Sequence, residues 1–251
     1  MISCLVANAG ILGQVRHSFM EASIVEFVLM LTIVATIVDL AIGCVGYSLT
    51  LRLFDAHIRS PNRYLVAWVV CLACYFPISN VVIGQMFQYR NARDWTDVVT
   101  DYPLLMGPWM AAIVGLFAIY LWSKCVFGLR FSNLTHRGIV TNGPYRYTKH
   151  PDYVTKSIFF WLTAAPFLTA VDAQAAVTTS AALVAVNLMY WGRARTEEMH
   201  LSEDPDYVAY ALAMNERSIF RRVPRFIPAL RVRAPSGGEA MPAAPAMTPA
   251  E

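Results

Sequence analysis

Two polar clusters in an otherwise greasy chain hold the side chains from which a chemical site could be built. Residues 136–153 read HRGIVTNGPYRYTKHPDY and residues 193–201 read RARTEEMHL. In the first, Gly138, Gly143 and Pro144 make a turn-rich approach, and Pro151 disfavours helical backbone at His150, so His150 stands where a helix opens. Backbone that turns at a membrane edge leaves N–H groups free to bind a ligand. In the second, Arg193 and Glu197 are i, i+4 neighbours on one helical face. Carboxylates, a guanidinium, an imidazole and phenols together can orient an anion, hold a cation or hydroxyl, and take a proton where one has to leave. Each group also has a plainer role: Arg193, Glu197 and Glu198 as a solvated helix end, His136 or His150 as a hydrogen-bonded structural residue. What gives them weight is that both clusters flank one charge-poor hairpin.

The elements that must hold these clusters follow from composition. The chain has 251 residues, 57% hydrophobic and 15% charged, with a mean hydropathy of +0.45. An average soluble domain is about 25% charged, so a bilayer is the natural second solvent. A helix needs roughly 20 apolar residues to cross ~30 Å of hydrocarbon. The candidate runs are residues 24–51, interrupted by Glu26 and Asp39; 65–87, uncharged but containing Pro77; and 103–122, also uncharged. Residues 154–171 and 173–192 follow, so close together that they form a tight hairpin turning at Asp172. The expected fold class is all-α: a polytopic membrane helix bundle of about five transmembrane helices, the last two hairpinned, plus an interfacial C-terminal helix.

Of the 20 Lys and Arg residues, 17 fall in the segments that follow the first, third and fifth runs, counting Lys156 with the third. The positive-inside rule then puts both clusters and the C-terminal region in the cytoplasm and the N-terminus outside. A net charge of +3, with no basic run interleaved with aromatics, gives no reason to expect a nucleic-acid partner. The five cysteines, Cys4, Cys44, Cys71, Cys74 and Cys125, lack the spacing of a disulfide framework and are expected as free thiols. Cys71 and Cys74 form a CxxC, but without a second such pair for zinc, so no metal is expected.

Residues 1–23 lack the basic stretch of a signal peptide and read as a tail, with Met20 an alternative start. Residues 217–231, RSIFRRVPRFIPALR, interleave Arg with large apolar side chains, as an interfacial segment would. Residues 232–251 are rich in Ala and Pro and are read as disordered. Asp39 lies mid-span, where an ionised carboxylate is costly and points to a partner or a function; Asn80 is one candidate partner. Asn80, Gln85 and Gln88 otherwise suit interhelical hydrogen bonding.

At this point the two clusters become recognisable. GPYRYTKHPDY, a two-span hairpin, then RxxxEExxL with Tyr207 and Tyr210 downstream resembles the isoprenylcysteine carboxyl methyltransferase family of integral membrane methyltransferases. The likeness covers residues 131–230. It implies an enzyme that binds S-adenosyl-L-methionine in a cytosol-facing pocket and passes its methyl group to a lipophilic small molecule or lipidated substrate arriving from the bilayer. It implies four segments: a tail at 1–23, N-terminal transmembrane helices at 24–129, a methyltransferase core at 130–231, and the tail at 232–251. Position by position, the likeness puts His136, Ile139, Val140, Gly143, Tyr145, His150, Pro151, Tyr153 and Glu197 around the cofactor. It leaves Arg193 and Glu198 for catalysis: Arg193 to orient the acceptor's anionic group, Glu198 or His150 as a base if the acceptor is an amine or phenol.

This chain departs from the family where Thr155 replaces a common Gly and Lys149 a common Arg. Thr155 and Lys156, at the top of the fourth run, bear on the acceptor channel. A carboxylate is the expected acceptor, which makes the chain an O-methyltransferase. Two other readings stay open on the residues alone: an NADPH-dependent membrane reductase, and a non-enzymatic membrane assembly factor. Neither the acceptor nor the oligomeric state is written in the sequence.

Overall fold

The computed structural model describes residues 24–75, 77, 78 and 95–222. Helix α1 is Ile24–Ser48, α2 Leu65–Ala73, α3 Trp95–Asp101 and α4 Pro103–Phe127. They are followed by α5 Pro151–Ala164, α6 Pro166–Thr169, α7 Ala173–Leu201 and α8 Pro205–Arg217. The described residues are mostly helical, with a small two-stranded sheet in which Ser60–Pro61 (β1) pairs antiparallel with Thr135–His136 (β2).

Among the described residues, three stretches are long and apolar enough to cross a membrane: Glu26–Ser48, Leu104–Arg130 and Ala173–Leu201. At 1.5 Å per residue the shortest of these reaches about 35 Å, more than the ~30 Å of hydrocarbon. Apolar side chains cover their outer faces, Leu104, Ile119, Trp122, Val177 and Leu188 among them, as expected where lipid replaces water. The protein is an integral, multi-pass membrane protein.

The fourth run differs from its expected continuous span. Helix α5 ends after 14 residues, at Ala165, whose φ of 37° is left-handed. Pro166 explains the break, since its ring disfavours helical backbone in the preceding residue and it has no N–H to continue the ladder. The chain then turns through α6 into α7, which Asp172 caps by accepting from the Ala175 N–H at 2.6 Å. The turn at Asp172 is therefore present, and α5 and α6 both pack on α7.

Two buried clusters position the site. Val28, Trp95, Met110 and Ile113 tie α1, α3 and α4 together, with Phe159 and Leu162 of α5 against them. Tyr207, Tyr210, Ala211 and Met214 of α8 close over Ile139 and Leu201, clamping the 138–142 loop to the end of α7. Most of the expected interfacial segment, residues 217–231, lies outside the described residues; α8 ends at Arg217 and residues 218–222 form a bend and turns. Residues 1–23, the second run beyond Ile78 with Asn80, Gln85 and Gln88, and everything after Arg222 lie outside the described residues. Cys44, Cys71, Cys74 and Cys125 are free thiols.

Candidate active site

A cavity of about 600 Å³ opens between the hairpin, α1, α2, the end of α4 and the 131–140 loop. That volume lies in the range of small-molecule sites, ~300–1,000 Å³. The local sequence accounts for its walls. Gly138, at φ 112°, turns the loop as only glycine does without strain. Among the described residues, no amide from Gly138 to Thr141 donates to another group. The α5 face is set by helical spacing, which puts Asp152, Tyr153 and Lys156 on the lumen.

At the outer end, Glu198 is 6% exposed and gathers three cations. Arg195 Nη1 donates to it at 2.7 Å, His150 Nε2 lies at 3.2 Å, and Lys149 pairs with the same carboxylate. Glu197, one residue earlier, behaves differently. Its side chain is 41% exposed, faces the cavity, and accepts from Tyr153 Oη at 3.3 Å, with His150 Nδ1 4.0 Å away. Burial opposes the charge on His150, but the hydrogen bond to Glu198 and the two adjacent carboxylates outweigh it and hold the imidazole above its ordinary pKa.

A stacked column descends from His150. His150 lies on Tyr153 at 5.6 Å, Tyr153 on Tyr190 at 5.6 Å, and Tyr190 on Phe160 at 6.3 Å. Arg193 flanks it, with its guanidinium 5.5 Å from the Tyr153 ring and 5.7 Å from that of Tyr75. Arg193 Nη2 donates to Asn133 Oδ1 at 2.7 Å, and Asn133 in turn donates to the hydroxyls of Tyr47 and Tyr75. So Arg193 and Glu197 share the cavity face their spacing predicts, yet they are not an ion pair; each turns to its own partners.

Deeper still, Tyr120 Oη donates to Asp39 Oδ2 at 2.5 Å, and Lys124 lies 3.9 Å from Asp39 and 3.5 Å from Asp152. The mid-span carboxylate thus has a tyrosine and a lysine from the neighbouring helix as partners. The expected alternative partner, Asn80, lies outside the described residues.

Ile139, Val140, Tyr145, His150, Tyr153, Arg193 and Glu197 all line this cavity. His136, Gly143, Pro151 and Glu198 do not. His136 is buried beside Asp204, its Nε2 3.4 Å from the carboxylate, and burial lowers its pKa. Gly143 abuts α4, where a Cβ would come within 2.8 Å of Val126 Cγ2. Pro151 is fully buried at the head of α5. Thr155 is also buried, its hydroxyl donating back to Pro151 O at 2.9 Å, which leaves Lys156 as the lumen residue of that pair.

Sequence reasoning passed over Asn133, Tyr75, Tyr190 and Lys124. Tyr190 was within reach, since it lies three residues before Arg193 on the same helical face. The others meet the site only through tertiary packing.

Residues 104–203 match the family model described as Isoprenylcysteine carboxyl methyltransferase (ICMT) family. No curated protein and no solved structure matches the chain.

Proposed function

We propose that this isoprenylcysteine carboxyl methyltransferase family member, an integral membrane enzyme with S-adenosylmethionine as methyl donor, methylates the carboxylate of a lipophilic, membrane-resident acceptor. One observation carries the reading: a single cavity is lined by the half-open Glu197 carboxylate, by the 138–140 loop with its undonated amides, and by an Arg193 guanidinium that has no carboxylate partner among the described residues.

The donor set fits S-adenosylmethionine. Glu197 offers an anion for its ammonium or ribose hydroxyls, and the amides of the 138–141 loop suit its carboxylate or adenine edge. Tyr207 lines the cavity, and its buried hydroxyl has no hydrogen-bond partner among the described residues. A phenol left so would be costly unless a ligand or water completes it. S-adenosylmethionine supplies a methyl group on a cationic sulfur, whose charge is lost as the group passes to an anion.

The protein's own tasks are alignment and replacement of hydration. Arg193, braced by Asn133 and two tyrosine rings, orients the acceptor's carboxylate. Glu198, fully committed to Lys149, His150 and Arg195, holds the outer wall in place and acts as a positioning residue. A carboxylate acceptor needs no general base, so His150 serves as a wall of the donor site.

The hairpin of α5 and α6 against α7 supports the fourth and fifth of five crossings, the interruption at Pro166 being covered by α7 as broken helices in membranes require. The bias of basic residues supports an outside N-terminus and a cytoplasmic site and C-terminus.

The test compares Arg193→Ala and Arg193→Lys in purified protein, using labelled donor, membrane lipid extract and a separate donor titration. Both variants should bind donor within about threefold of wild type, while Arg193→Ala loses about 10- to 100-fold in turnover, the worth of a charged hydrogen bond. Wild-type turnover in both variants defeats the clamp role. Lost donor binding reassigns Arg193 to the donor.

A further inference from the structure

The charges that line the cavity form a ladder of increasing depth. The hairpin strands run antiparallel, so α5 goes deeper as residue numbers rise and α7 as they fall. Glu197 and His150 are outermost, Tyr153 and Arg193 one turn in, and Lys156 and Tyr190 one turn deeper again. The aromatic column from His150 through Tyr153 to Tyr190 follows the same order. Lys156 is thus the deepest cation of the hairpin on this wall, about 9 Å of helix below His150.

Its surroundings answer its charge only at a distance. Asp39 and Asp152 attract it from beyond ion-pairing range; both lie within 4 Å of Lys124 instead, and Tyr120 Oη is committed to Asp39. Among the described residues, no carboxylate comes within ion-pairing distance of Lys156. Its ammonium sits instead over the Tyr120 ring, 4.7 Å from the centroid, a contact weaker than a buried ion pair. Lys149 and Lys124 have carboxylates; Arg193 and Lys156 have none. An unpaired ammonium at membrane depth is expensive, and the cost falls if an anion reaches it from the lipid side.

We infer that Lys156 is a specificity-determining residue that holds the acceptor's anionic headgroup together with Arg193, restricting the enzyme to apolar molecules that carry a carboxylate. This rests on the methyltransferase reading above. The Tyr120 Oη–Asp39 hydrogen bond fixes the tyrosine face on which the ammonium rests, and Lys156 lines the lumen beside Lys124, Asp39 and Asp152.

The test uses the full chain in lipid nanodiscs. Palmitate, a shorter saturated acid and an isoprenoid acid are each compared with the amide of the same chain, with binding read by retention of the radiolabelled probe. Donor affinity is measured separately by calorimetry. In wild type the best acid should bind about tenfold or more tighter than its amide, the worth of a charge-assisted contact. Lys156→Met should cut that ratio about threefold or more, Arg193 accounting for what remains, and Lys156→Arg should keep it, with donor affinity unchanged in both.

Equal retention of acids and amides by wild type, retention of neither, or a ratio that survives Lys156→Met overturns the inference. If Lys156→Met fails to bind donor, Lys156→Gln and the wild-type ratio decide. Failure of wild type to bind S-adenosylmethionine sinks the methyltransferase assignment instead, whatever the ratio.

Discussion

Glu197 and Glu198 are adjacent carboxylates whose substitutions should fail in opposite ways. Glutamine preserves the shape of each and removes the charge. In Glu198→Gln, Lys149, His150 and Arg195 lose the anion they share at a site 6% exposed. Breaking a fully buried pair costs about 3–5 kcal/mol, but Arg195 is a third exposed, so the lower end, about 3 kcal/mol, applies. For a chain of this length that corresponds to a fall in Tm of about 6–12 °C.

In Glu197→Gln, what is lost is one hydrogen bond from Tyr153 at 3.3 Å and a 4.0 Å approach of His150, on a side chain open to the cavity. Stability should change by less than about 1 kcal/mol. Donor affinity should fall about tenfold or more, since the freed Tyr153 and the neutral amide no longer offer an anion. The assay is thermal unfolding in detergent with and without S-adenosylmethionine, alongside donor titration. Equal destabilisation by both variants, or a Glu198→Gln protein that melts like wild type, would refute this division of labour.

Gly143→Ala should lower Tm by about 2–8 °C, because φ 57° costs an L-residue ~1–2 kcal/mol and the new methyl would meet Val126 Cγ2 at 2.8 Å. Donor affinity should survive, as Gly143 packs on α4; a loss of affinity without a loss of Tm would put it in the site. His150 has a folded pKa above its ordinary value of about 6.5. A raised pKa stabilises the fold fully below the unfolded pKa and progressively less as pH rises through the folded one. The Tm gap between wild type and His150→Gln should therefore be widest in mild acid and narrow with rising pH. A gap that widens instead would mean that the neutral imidazole is the favoured form.

The spans at α1, α4 and α7 were legible because a long charge-poor run has few other ways to satisfy its backbone and its side chains at once. The two clusters were legible for the same reason, since in a chain with so few charges those beside an apolar hairpin stand out. Spacing placed Arg193 and Glu197 on one face but left open that they take different partners, which depends on Asn133 and Tyr153 arriving from elsewhere. Nor could it separate Glu197 from Glu198, neighbours that point about 100° apart around the helix, one to the lumen and one into Lys149 and Arg195. The break at Ala165 was half visible in Pro166. Hydropathy does not register it, because a left-handed alanine and a helical one have the same side chain. Gly143 and Pro151 belong to the motif that carries the family likeness, yet neither lines the cavity: Gly143 packs on α4 and Pro151 is buried at the head of α5.

Depth decides what each charge is for. Near the outer edge water can solvate what protein leaves unpaired, so Glu197 stands half open at little cost, while Glu198 must be paired because α8 seals it in. One turn down, Arg193 spreads its charge over two aromatic faces and a neutral amide, an arrangement that tolerates the apo state but leaves further N–H donors for an anion. Deeper again, Asp39, Asp152 and Lys124 also face the lumen, tied to one another through the lysine and through Tyr120 Oη. Lys156 lines the lumen beside them, with no carboxylate within ion-pairing distance among the described residues. A pocket meant for neutral lipids would be more stable with Lys156 replaced by an apolar residue, since an isosteric apolar side chain in place of an unpaired charge removes the desolvation cost outright. That Lys156→Met should stabilise the empty protein while weakening acid selectivity is the combined signature of a residue kept for what it binds. Differential scanning fluorimetry on the nanodisc samples reads the first half directly, and a Tm that falls in that variant would show that Lys156 serves the fold.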